Sequence, residues 1–368
     1  MTRTGLVYHE LYQWHDTGNH AGFIFPGFPL QPGMHNEHPE TKRRFKNLLD
    51  VAGITEQLTS IKPRHATLEE ILRFHTPDYV ERVKAMSDAY GGDAGELTQV
   101  GRGSYEIALL SAGGVIEALD AVVTGKVDNA YALVRPPGHH ADADKGRGFC
   151  IFGNLVIAIR HAMAVHGLDR IAVVDWDVHH GNGTETAFYE DPRVLTISAH
   201  QDNWYPQGRG LVPDVGAGAG EGRNINVPLP PGSGVGAYEA TFDQVVLPAL
   251  HAFKPQLICV ASGFDASGFD PLGRMMMHSA GYRALTARLM AAAADLCDGR
   301  LMMAHEGGYS PYYVPFCGLA VIEQMSGLRS GIEDPYLAFA AGMAGQDLQP
   351  GQAAVIEAAS AVRRKYLP

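Results

Sequence analysis

Between residues 130 and 308, short and almost continuously apolar runs alternate with stretches of helical period. The runs are AYALV (130–134), IAVVDWD (171–177), VLTISAH (194–200), LICVASGFD (257–265) and LMMAHEGG (301–308). Each has the length of a strand and lacks hydrophobic–polar alternation, as strands covered on both faces should. The segments between them predict helices over 154–167, 237–254 and 280–296. Strand and helix in alternation predict βαβ units and a parallel sheet. Upstream, a short opening strand precedes helix-like periodicity over 40–53 and 77–91, and then a long, mostly apolar helix over 103–125. No internal repeat, low-complexity tract or polar linker interrupts the pattern, so we read one α/β domain over residues 1–368.

Four of the runs pass directly into polar, glycine-rich segments: RPPGHHADAD, DWDVHHGNG, SGFDASGFD and HEGGYSP. In parallel α/β sheets the carboxyl ends of the strands line the ligand crevice, so His139, Asp177, Asp265 and Tyr309 should converge. An extended chain through residues 175–179 puts Asp177 and His179 on one face, where they can reach one ion, while Trp176 and Val178 pack away from it. Taken singly, Asp265 in GFDAS reads as a turn or cap residue. In this context it completes a set of two carboxylates and one imidazole with room for water or substrate. Zinc suits that set best, and ferrous iron or cobalt accepts the same ligands.

Two carboxylates neutralise a doubly charged ion, so it should acidify water less than an all-histidine site and need a base beside it. His139 and His140 can supply that base, with Asp175 and Asn182 as orienting partners. A carboxylate on His139 favours the protonated ring, whereas an amide on His140 leaves its pKa lower and better poised to accept a proton near neutrality. Tyr309 follows Gly307 and Gly308, whose missing side chains let its phenol approach the metal and donate to a developing oxyanion.

Composition narrows the substrate. With 46% apolar and 19% charged residues the chain is globular, and 29 basic against 40 acidic residues leave a net charge of −11. That balance speaks against nucleic acid and suits a cationic substrate, acylated polyamine or basic protein tail alike. Cys150, Cys259, Cys297 and Cys317 have no CxxC spacing, which predicts buried free thiols. Neither a signal-peptide pattern nor a membrane-spanning run is evident, so the expectation is a cytoplasmic protein, compatible with a homo-oligomer.

RPPGHHA, GFCIF, DWDVHHGNG, SGFDAS and EGGYSP together resemble the class II branch of zinc-dependent histone deacetylases, in particular bacterial histone deacetylase-like amidohydrolases. The likeness runs from TKRRF at 41–45 to PFCGLAVIE, which ends at residue 323. It implies the arginase/deacetylase fold, a single domain with a mainly parallel sheet of about eight strands flanked by helices. It implies zinc on Asp177, His179 and Asp265, acid–base work for His140, an electrostatic role for His139 and carbonyl polarisation by Tyr309. Phe149 and Tyr205 become the walls of a narrow acyl-lysine channel, with the Gly148 carbonyl as an acceptor at its base. Structural potassium is implied at Asp175 and Ser198 with the carbonyls of Asp177, His179 and Ala199. A second potassium site is implied near Phe188, Asp191, Val194 and Arg223.

Three positions depart from the family pattern. Tyr205 stands where Phe is common, Gly153 replaces the first Asn of the usual FNN, and Leu272 occupies the place of an acidic gatekeeper in eukaryotic polyamine deacetylases. Leu272 removes that basis for choosing a polyamine, although bacterial acetylpolyamine hydrolases use other acidic residues. The expected substrate is therefore an acylated lysine peptide, with a small acylated amine such as acetylpolyamine as the alternative. An arginase-like ureohydrolase would need carboxylates where Gly181 and Ser267 stand. A non-catalytic reader of acyl-lysine would be expected to lack a base or the tyrosine, and both are present.

Overall fold

The computed structural model describes residues 2–368. Its central sheet has eight strands: β1 (Thr4–Val7), β2 (Thr59–Ile61), β3 (Asn129–Ala132), β4 (Ile171–Asp175), β5 (Val194–Gln201), β6 (Asn224–Leu229), β7 (Leu257–Ser262) and β8 (Leu301–His305). They run in the order β6-β5-β4-β7-β8-β3-β1-β2, every neighbour pair parallel. The expected parallel sheet and strand number are both present.

The apolar runs lack alternation because both faces are covered. On β4, Ala172 and Val174 pack into one core and Ile171 and Val173 into the other. The second core is closed by α4 (Ser104–Val123) and α5 (Asn154–His166), the first by helices Glu40–Val51, Ser279–Leu296 and Val314–Ser326, here α1, α9 and α10. Between them in the chain lie α2 (Leu68–Leu72), α3 (Pro77–Asp88), α6 (Asn182–Phe188), α7 (Val235–Thr241) and α8 (Leu247–Phe253). The stretch expected as one helix over 237–254 is α7 and α8 joined by a π turn at Phe242–Val246.

The two strands that periodicity did not reveal, β2 and β6, are the edges of the sheet. β2 is only TSI, and β6 is NINVPL, whose Asn and Pro residues an edge tolerates and a central strand would not. Helices α11 (Leu337–Gly342) and α12 (Pro350–Tyr366) were likewise not anticipated. Through Ile356 and Ala359, α12 joins the first core.

One local expectation is corrected. β4 ends at Asp175, so Asp177 and His179 sit in a bend and not on an extended strand. Asp175 Oδ1 accepts from Asp177 N at 3.0 Å and Asp177 Oδ1 from His179 N at 2.9 Å. These successive side-chain-to-backbone bonds turn the chain as Asx turns do. Trp176 and Val178 still pack into the core, so the segregation of faces survives although the conformation differs.

Candidate active site

At the carboxyl ends of β4, β7 and β8 three ligand atoms meet. His179 Nδ1 lies 3.0 Å from Asp177 Oδ1 and 3.1 Å from Asp265 Oδ2. Asp177 and Asp265 are 0% exposed and His179 is 7% exposed. The other carboxylate oxygens are committed to backbone: Gly307 N donates to Asp177 Oδ2 and Val178 N to Asp265 Oδ1, each at 2.8 Å. A side chain at Gly307 would collide with both carboxylates, which explains the glycine.

The charge of this group is what fits a cation. Among the described residues neither Asp177 nor Asp265 has a Lys or Arg partner. Burial and the neighbouring Asp177 carboxylate push Asp265 up to about 6. For Asp177, burial is outweighed by His139 and His179, which hold its carboxyl well down. Buried carboxylates this close repel unless a positive charge joins them, and two oxygens with one imidazole nitrogen are a donor set for zinc or ferrous iron.

Beside the ligands stand the paired histidines, ring centroids 3.9 Å apart. His139 Nδ1 donates to Asp175 Oδ2 at 2.9 Å. Burial would lower its pKa, but Asp175 and Asp177 carry it up to about 10, so the ring is charged at neutrality. His140 Nδ1 donates to Asn182 Oδ1 at 2.8 Å, while Asn182 Nδ2 donates to the His140 carbonyl at 3.0 Å, which fixes the amide orientation. Burial, then the neighbouring His139 and His179, hold His140 well below its ordinary value. The two rings are thus pushed in opposite directions, His139 upward by its carboxylate neighbours and His140 downward by burial and the adjacent imidazoles, against the upward pull of its bond to Asn182.

A cavity of about 580 Å³ opens onto this floor, where His140, His179, Asn182 and Tyr309 line it. Phe149 and Tyr205 are among its walls. The Phe149 ring stands edge-on to Tyr309 at 5.7 Å, and Tyr205 edge-on to His140 at 5.0 Å. Phe149 takes a left-handed φ of 71°, held by its N–H bond to the Leu97 carbonyl at 3.1 Å. A Cβ at Gly148 would strike the His140 ring, so only glycine lets the loop close over the base. Leu272 lies at the mouth with Phe23, Glu96 and Trp204, its carbonyl accepting from Trp204 Nε1 at 2.6 Å. Gly153, the departure noted above, sits where a Cβ would press on the Phe74 ring.

Asp175 and Ser198 are register partners on β4 and β5, next to the ligand bend. Ser198 Oγ bonds His200 Nδ1 at 2.9 Å. Near the second expected potassium position the Asp191 carboxylate is paired with Arg193 at 2.6 Å, and the Arg223 carbonyl accepts from Thr196 N at 2.9 Å.

Several supporting residues escaped the sequence reading. Glu306 Oε2 accepts from Gly138 N at 2.7 Å and His139 N at 3.0 Å, fixing the loop that carries both histidines. Its place directly before Gly307-Gly308-Tyr309 was the available signal. Asp270 accepts from Tyr309 N at 2.6 Å and Leu272 N at 2.8 Å, tying the tyrosine to the rim. Behind Tyr309, Lys42 Nζ stands 5.6 Å from the ring centroid and bonds Glu37 at 3.1 Å, and Glu37 also pairs with Arg135 at 2.8 Å.

A family model described as the histone deacetylase domain matches residues 35–325. The chain is 53% identical to a histone deacetylase-like amidohydrolase of Pseudomonas aeruginosa over 336 residues, 90% of this chain and 88% of that protein. It is 38% identical to a probable deacetylase of Archaeoglobus fulgidus over 339 residues, 90% and 89% of the two chains. The crystal structure of the HDA15 HD domain superposes with a TM-score of 0.87 at 31% identity, covering 100% of this chain and 96% of that one.

Proposed function

The chain belongs to the histone deacetylase family and is a hydrolytic enzyme of the deacetylase and amidohydrolase kind; from that premise we propose that it removes acyl groups from N6-acyl-lysine with the help of one zinc ion. The observation that carries the reading is the pair of buried carboxylates, without a Lys or Arg partner, that converge on His179 where it lines the cavity. Asp177, His179 and Asp265 would hold the ion. When bound, it supplies Lewis-acid polarisation of the substrate carbonyl and acidifies a water.

The other steps belong to the chain's own groups. His140, neutral and oriented by Asn182, accepts a proton from the attacking water and returns it to the leaving amine. His139, held charged by Asp175, steadies developing negative charge without competing as the base. The Tyr309 phenol stays protonated, because burial and then the Asp265 and Asp177 carboxylates push its pKa well up, and it donates to the carbonyl oxygen as charge builds there. Phe149 and Tyr205 enclose the alkyl chain and exclude water. Asp175 and Ser198 would hold a structural potassium ion that stiffens the ligand bend.

The rim supports acyl-lysine over acetylated polyamine. Its acidic residue, Glu96, is paired with Arg147, and Leu272 adds no charge. The deciding experiment assays acetyl-lysine peptides, longer acyl-lysine peptides and acetylated polyamines on the same preparation. A kcat/KM for acetylpolyamine exceeding that for every peptide would overturn the substrate choice. Manganese in pairs with urea release would overturn the mechanism.

A further inference from the structure

On the outside of the α4–α5 pair lies a second convergence of metal-type ligands. Asp120 projects from α4, His161 and His166 from α5. His166 Nε2 is 2.8 Å and His161 Nε2 3.1 Å from the same oxygen, Asp120 Oδ1. The spacing matches the catalytic cluster, where His179 Nδ1 stands 3.0 and 3.1 Å from its two carboxylates. Ligands about 2.0–2.1 Å from a tetrahedral ion lie roughly 3.4 Å apart, so an ion would lengthen these two contacts to Asp120 by only a few tenths of an ångström.

A second observation separates the cluster from a plain hydrogen-bonded clasp. His161 is 6% exposed, yet its Nε2 has no hydrogen-bond partner, because Asp120 lies close to it but off the line of an N–H bond. A buried ring nitrogen pointing into a group of ligands and bonded to none of them wants another occupant. Behind the ring, Glu70 Oε1 of α2 lies 3.2 Å from His161 Nδ1, the carboxylate–histidine arrangement that orients metal-binding imidazoles. Arg73 Nη1 is 3.1 Å from the same Nδ1. An ion on Nε2 selects the tautomer whose Nδ1–H faces Glu70, leaving Arg73 its bond to Glu69.

We propose that Asp120, His161 and His166 form a second site for a divalent transition-metal ion of the zinc, cobalt or nickel class. Solvent supplies the remaining ligand, since Asp120 and His166 side chains are 29% and 19% exposed. The ion staples α4 to α5. The amino end of α5 is Asn154, whose Nδ2 bonds the Pro136 carbonyl at 3.0 Å beneath the histidine loop, so the staple braces the helix pair on which that loop rests.

The test strips the purified full chain of metal, reloads it with excess cobalt(II), removes unbound ion by gel filtration and counts cobalt per chain. Parent, His166→Ala and Asp120→Asn are compared after metal-free melting curves establish that each is folded. The parent should retain one equivalent more than either variant, and a zinc-induced rise in Tm should shrink in both. Peptide deacylation by the two variants should stay within about two-fold of parent, the behaviour of a change away from the site. The reading is the difference between parent and variant, so it holds whatever the catalytic cluster retains. Equal cobalt in all three proteins would overturn the site and leave Asp120 as a helix clasp only.

Discussion

Two buried groups of charged residues stand on either side of Tyr309 and solve the problem of burial in opposite ways. Glu37 is fully buried but faces two fixed cations, Lys42 at 3.1 Å and Arg135 at 2.8 Å. Arg135 spends its remaining donors on the carbonyls of Tyr12 and His15, at 3.2 and 2.7 Å. Asp177 and Asp265 are equally buried but face only imidazoles, His179 between them and His139 Nε2 3.9 Å from Asp177 Oδ1. The first group is complete as folded and braces the wall behind the tyrosine. The second has no Lys or Arg, and two buried carboxylates balanced by imidazoles alone beside a cavity mark a site where an ion belongs.

The sharpest way to break this contrast is to remove a carboxylate from the deficient group. Asp265→Ala should abolish turnover and lose the catalytic metal equivalent, read as metal content beside activity. Full metal content in that variant would mean that the third ligand is another residue.

Removing the carboxylate of the satisfied group should act on folding instead. Glu37→Ala strands two buried cations and should cost about 3–5 kcal/mol, read by denaturant melts. Metal content of the folded fraction should be unchanged. pH separates the groups further. Burial raises the Glu37 carboxyl, but Arg135 and Lys42 dominate and hold it well below its ordinary 4.5. Its contribution is therefore complete above about 4.5 and drains away as pH falls toward its folded value. Glu37→Gln should show a shallower acid-induced loss of stability than the parent. An equal slope would mean the ion pair is energetically idle.

A smaller effect is expected at the residue between the groups. Tyr309→Phe should lower kcat by roughly 10²-fold, the scale of one lost oxyanion donor, with KM and Tm little changed. Turnover within a few-fold of parent would reduce Tyr309 to a wall.

The smallest expected effect refines the histidine pair. With metal occupancy equalised, His140→Ala should be more damaging than His139→Ala. Asn182→Asp places a carboxylate on His140 Nδ1, which favours the protonated ring and raises its pKa. The base is then lost at higher pH, and the acidic limb of kcat/KM moves upward by about one unit. An unmoved limb would transfer the role of base to His139.

The motif residues were legible because each sits where a strand-length apolar run meets a polar, glycine-rich segment. Local period announces the strand and parallel topology brings the strand ends together. Asp177, His179, His139, His140 and Tyr309 were found this way, and Asp265 by its place at the end of β7. Glu306 and Asp270 were overlooked because their bonds go to backbone N–H groups, of Gly138 and His139 in one case and of Tyr309 and Leu272 in the other. Backbone partners leave no trace in residue type. Edge strands β2 and β6 were overlooked because an edge need not be apolar.

The sequence by itself determined the buried parallel sheet and the residue types at its carboxyl edge, which follow from period, spacing and side-chain chemistry. Only the tertiary structure decided that the ligands stand in a bend and not on a strand, that Glu37 is matched with Lys42 and Arg135, and that Asp177 and Asp265 are matched with no fixed cation. The reason is physical. Whether a buried charge is satisfied depends on what the fold brings within about 4 Å of it, and those partners come from segments whose distance along the chain carries no information about their distance in space.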